Sequence, residues 1–83
     1  MTRLLVDVFL PGSGKVYEFQ LDGTMTVGQA TISIVSQINE TEKDIPIRQE
    51  EVILSDVTIS AKLKPGLTLQ AAGVRSGHRL ILV

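Results

Sequence analysis

The sequence predicts an α+β fold: one mixed sheet of four to five strands with one principal helix across one face. Three observations point there. Two alternating apolar runs flank a glycine-rich turn near the N-terminus. A single long stretch with helical apolar spacing follows. A last alternating run then closes the chain.

The helix is read from Thr26–Ile38. Thr26 can cap it, and Gln29 stands three residues on, which is the capping-box spacing. Val27, Ala30, Ile34 and Ile38 recur at steps of three and four and share one stripe, Val35 widens it, and Ile32 falls off it. Thr31, Ile32, Ile34 and Val35 are β-branched and argue for a strand. Length decides for the helix, because about a dozen residues without a turn signal is long for a strand. Intrinsic propensity this poor cannot hold a helix in water, so a sheet with one apolar face must hold it.

The strands supply that face. In Arg3–Leu10, Leu4, Val6, Val8 and Leu10 alternate with Arg3, Leu5, Asp7 and Phe9. Pro11-Gly12-Ser13-Gly14 is a turn cluster. Lys15–Leu21 alternates again, with Tyr17, Phe19 and Leu21 against Val16, Glu18 and Gln20, so the two runs form a hairpin. Asp22-Gly23-Thr24 turns the chain into the helix. Beyond Ile38 comes a polar stretch that Ile45-Pro46 closes, since a residue before proline resists the α region. Glu51–Leu54 is expected as a third strand and Val57-Thr58-Ile59 as a brief fourth. A loop is expected over Ser60–Gly66 and one helical turn over Thr68–Ala72. Arg79–Val83 is expected as the last strand, parallel to the first at the sheet centre.

Eighty-three residues make one domain, residues 1–83. Its 43% apolar and 20% charged residues are those of an ordinary globule. With no cysteine there is neither a disulfide staple nor thiolate chemistry, which fits a cytoplasmic protein. A net charge of −1 argues against nucleic acid as the partner. No run of 18 apolar residues exists, so no direct membrane insertion is expected.

The order of elements becomes specific when read with its details. These are a terminal hairpin, a helix opening at Thr26, Ile45-Pro46, a short strand near Glu51–Leu54, Thr68-Leu69, and then Gly73-Val74-Arg75-Ser76-Gly77-His78-Arg79-Leu80-Ile81-Leu82. Over its whole length this resembles ubiquitin, which implies a β-grasp. Ubiquitin-like modifiers and sulfur carriers end in a flexible Gly-Gly tail, whereas this sequence stops at Val83, about where such a tail begins. The chain is therefore similar to the bacterial ubiquitin-like YukD/EsaB family of type VII (WXG100) secretion systems. It also resembles the ubiquitin-like domain of EccD membrane components. That resemblance implies a non-conjugated protein-binding module, an accessory of secretion. Its implied partner is a membrane or ATPase component of the system, held at the inner face of the membrane. The competing reading is a ubiquitin-like modifier or carrier activated at its C-terminus, and the missing Gly-Gly speaks against it.

Chemistry-bearing motifs are few. Gly12-Ser13-Gly14-Lys15 resembles the end of a phosphate loop, but Val16 stands where Ser or Thr is needed, and the loop joins two strands. A hairpin turn is expected. His78 has no Cys or second His to share a metal and no evident nucleophile, and reads as a turn residue. Glu40, Glu42, Asp44, Glu50 and Glu51 read as a solvated acidic surface, with docking of a basic partner as the other use. No catalytic, cofactor-binding or metal-binding residue is expected, and no enzyme.

Parity supplies the candidate site. If Val6, Val8, Tyr17, Phe19, Val52, Leu54, Leu80 and Leu82 face the helix, then Leu5, Phe9, Val16, Ile53, Ile81 and Val83 face away. Six apolar side chains on an open sheet face exceed scattered exposure, so this face is expected to bind a protein partner or a second copy.

Overall fold

The computed structural model describes residues 3–42 and 47–83. In order these form β1 (Arg3–Leu10), β2 (Lys15–Asp22), α1 (Val27–Thr41), a 3-10 turn (Gln49–Glu51), β3 (Leu54–Asp56), β4 (Ala61–Lys62) and β5 (Arg79–Leu82). The sheet runs β2-β1-β5-β3-β4. β1 pairs antiparallel with β2 and parallel with β5, and β3 is antiparallel to both β5 and β4. Hairpin, helix and central parallel pair thus stand where the alternation placed them. Ile45-Pro46, together with Lys43 and Asp44, lies outside the described residues.

Helix α1 forms because every backbone N–H of its first turn is satisfied. Gln29 N donates to Thr26 Oγ1 at 3.1 Å, and Thr26 N donates to Gln29 Oε1 at 3.0 Å, completing the capping box. Val27 N donates to the Leu67 carbonyl at 2.8 Å and Gly28 N to that of Pro65 at 3.0 Å. The segment 60–67 therefore serves the helix, not the far face of the sheet.

The stripe of Val27, Ala30, Ile34, Val35 and Ile38 is buried, whereas Ile32 is 51% exposed. Against the stripe pack Leu4, Val6, Val8 and Leu10 of β1, Phe19 and Leu21 of β2, and Leu80 and Leu82 of β5. Leu54, Leu63, Leu69 and Val74 complete the core.

Three expectations are corrected. The third strand begins at Leu54, not Glu51; its place is taken by the 3-10 turn and an extended Val52-Ile53. Val57-Thr58-Ile59 is a turn, because it must reverse the chain between β3 and β4, and Ser60 takes a φ of 53° to do so. The expected loop Ser60–Gly66 contains β4, whose two residues pair with Ser55 and Asp56. Elsewhere the turn chemistry is as read. Gly14, at φ 70°, closes the hairpin by donating to the Leu10 carbonyl at 2.9 Å. Ala72 N donates to the Thr68 carbonyl at 2.9 Å, one helical turn.

Candidate functional site

All six sequence-selected residues lie on the face away from α1: Leu5, Phe9 and Ile81 alternate with buried neighbours, Val16 is the register partner of Phe9, and Val83 follows buried Leu82 and pairs with Ile53. Five of them adjoin. Val16 pairs with Phe9, and Phe9 with Ile81, across β2, β1 and β5. Val83 lies two residues beyond Ile81 on the same face. Opposite it is Ile53, tied by Ile53 N to Val83 O at 2.7 Å and Val83 N to Ile53 O at 3.1 Å. Val16, Ile53 and Val83 are 51%, 46% and 56% exposed; Phe9 and Ile81, at the centre, are half-buried. The result is an apolar band across the open face.

Leu5 does not join the band. Asp7 lies between it and Phe9, with Glu18 opposite Asp7 on β2 and Arg79 beside it on β5. Leu5 instead borders Gln20 and the turn at residues 76–77, which accepts and returns its backbone bonds: Leu5 N to Ser76 Oγ at 3.0 Å, and Gly77 N to the Leu5 carbonyl at 2.7 Å. Among the described residues, the ion pairs are Lys15–Glu42, Arg48–Glu51 and His78–Asp56; none involves Asp7, Glu18 or Arg79.

The acidic segment is dispersed. Glu42 Oε1 accepts from Lys15 Nζ at 2.7 Å and from the Tyr17 hydroxyl at 3.0 Å, clamping the helix end to β2. Those bonds, Lys15 first, hold the Glu42 carboxyl below its ordinary range and raise Lys15 above its own. The lysine after the Gly-Ser-Gly turn is thus spent on a structural contact. Asp44 is outside the described residues.

Two features escaped the sequence. One is a groove of about 420 Å³ between α1 and the segment leading into β3, lined by Thr31, Ile32, Val52, Leu63 and Pro65 among others. Ile53 lines it too, at the edge it shares with the open face. Its sequence signal was Ile32, an apolar residue off the buried stripe. The other is the partner of His78: the wholly buried Asp56, whose Oδ2 is 2.6 Å from His78 Nδ1 and whose Oδ1 accepts from Thr58 N at 3.0 Å. A carboxylate only accepts, so Nδ1 carries the hydrogen, and the Arg75 N–H at 3.3 Å finds no free lone pair there. Asp56 and His78 are 22 residues apart, and no local pattern joins them.

No helix among the described residues is long and apolar enough to cross a membrane. No group of three His, Cys, Asp or Glu among them could hold a metal ion.

Comparison with solved structures shows the fold. The ubiquitin-like domain of EccD5 from Mycobacterium xenopi superposes with a TM-score of 0.80 at 18% identity, covering 100% of this chain and 94% of that one. Ubiquitin of Caldiarchaeum subterraneum matches with a TM-score of 0.69 at 20% identity, covering 98% and 91%. A computationally designed protein based on human erythrocytic ubiquitin matches with a TM-score of 0.74 at 22% identity, covering 95% and 87%. The fold is the ubiquitin-like β-grasp. No protein-family model matches the sequence, and no curated protein does.

Proposed function

We propose that this protein is a non-conjugated ubiquitin-like binding module of a type VII secretion system, akin to the YukD/EsaB proteins and to EccD ubiquitin-like domains. The observation that carries the binding role is the apolar band of Val16, Phe9, Ile81, Ile53 and Val83 on an open sheet face. A sheet face that meets only water normally carries polar residues. What favours secretion is the full-length likeness to the EccD5 domain together with the Gly73–Leu80 stretch. A bound partner is then a membrane or ATPase component, and the module works at the inner membrane face without catalysis or cofactor.

Ile53→Asp tests the reading. Ile53 is outside the core, so the melting temperature should move by no more than a few degrees. Losing a half-buried apolar contact at an interface costs about 1–3 kcal/mol, roughly tenfold or more in affinity. Co-purification with the type VII ATPase and EccD-type membrane component of the same cells should fall accordingly. A variant that is folded and still co-purifies fully would remove this face from the account.

A further inference from the structure

The open face is self-complementary, and we infer that it pairs with a second copy of this chain as a symmetric sheet-on-sheet dimer. This rests on the reading of that face as the docking surface and names one occupant for it.

Strand order and register carry the inference. β1 and β5 are adjacent, parallel and central, with Asp7 beside Arg79 and Phe9 beside Ile81. A two-fold axis lying between these strands and along them exchanges their positions. It sets Asp7 of one copy over Arg79 of the other, and Phe9 over Ile81, each contact made twice. The charges flanking the axis follow the same division. Asp7 and Glu18 stand directly opposite one another on the β2–β1 side, while Arg3, further along the same face of β1, is balanced by Asp22 opposite it. Bases lie on the β5–β4 side, in Arg79 and in Lys62, which pairs with Ser55 on this face. Opposed acids on neighbouring strands are unfavourable in an isolated sheet, and among the described residues neither Asp7 nor Glu18 has an ion-pair partner. A rotated second copy supplies Arg79 to Asp7 and sets its Ile81 over Phe9, covering the centre of the apolar band. Aligned sheets pack face to face in this way at a spacing of about 10 Å.

A wholly basic partner meets the acidic half but is repelled by Arg79; the two-fold copy satisfies both halves. One face of short strands is small for an interface, below roughly 1,200 Å² in total, so the dimer should be weak and concentration-dependent.

Charge reversal read by sedimentation velocity tests the geometry. Wild type should show a monomer–dimer equilibrium that weakens as salt is raised. Asp7→Arg alone places cation over cation, and Arg79→Asp alone places acid over acid. Each should raise the dimer dissociation constant at least tenfold. The double variant Asp7→Arg/Arg79→Asp restores both contacts and should dimerise again. Mixing the two single variants should yield a heterodimer, which also shows that each is folded. A wild type that stays monomeric at millimolar concentration overturns the inference, as do single variants that dimerise like wild type. The failures are separable. A monomeric wild type whose capture of the secretion components depends on Ile53 keeps the binding role and loses the dimer. Reversal that behaves as expected, with capture indifferent to Ile53→Asp, keeps the dimer and removes this face from the capture of secretion components.

Discussion

Ile34→Ala should remove a large part of the protein's stability. Ile34 is 0% exposed and sits mid-stripe on α1, against the central strands. Truncating a fully buried Ile costs about 2–5 kcal/mol, the transfer term plus the cavity it leaves. A domain of 83 residues has a total margin of about 4–12 kcal/mol. Alanine's better helix propensity returns only about 0.4 kcal/mol. Urea denaturation should therefore show a midpoint far below wild type. Ile32→Ala is the internal control. Ile32 is on the same helix and 51% exposed, so the same substitution should be neutral or slightly stabilising. Equal losses at 32 and 34 would mean that the helix presents a different face to the sheet.

His78→Ala should cost about 3 kcal/mol, although His78 lies in a turn. Asp56 is wholly buried, and its two oxygens are taken by His78 Nδ1 and Thr58 N. Removing the imidazole leaves a buried carboxylate oxygen without its donor, and breaking a buried pair from one side costs about 3–5 kcal/mol. His78 is 16% exposed, so water relieves part of this, hence the lower end. Adding Asp56→Asn in the same background should recover stability, because a neutral amide loses less than a carboxylate when its partner is gone. The pair is measured by chemical denaturation of both variants. If the second substitution destabilises further, the loss in His78→Ala does not come from an uncompensated carboxylate.

The Asp56–His78 pair also shows where the sequence ceases to be legible. Hairpin, helix and last strand were readable because each carries its own period: Leu4–Leu10 in steps of two, Val27–Ile38 in steps of three and four. The third strand slipped because the apolar Val52-Ile53-Leu54 drew the reading toward the N-terminal side. In the fold, Ser55 and Asp56 are strand residues, and Asp56 is tolerated there only because His78 reaches it from 22 residues away. β4 is invisible in Ala61-Lys62, which has little strand preference and pairs because β3 offers an edge. For the site, parity gave the face but not the contiguity. That Asp7 lies between Leu5 and Phe9 is legible in the alternation of β1, but that Asp7 stands beside Arg79 follows from the β1–β5 register alone. Register between strands some 70 residues apart is a tertiary fact.

The central claim is that the open sheet face, and not the helix or the groove beside it, meets the partner. A photo-crosslinking residue placed at position 81 in living cells tests this most directly, with position 32, exposed on α1 in the groove, as control. The account predicts adducts at 81 to a second copy or to a type VII ATPase or membrane component, identified by mass spectrometry, and none at 32. Adducts at 32 with none at 81 would contradict it.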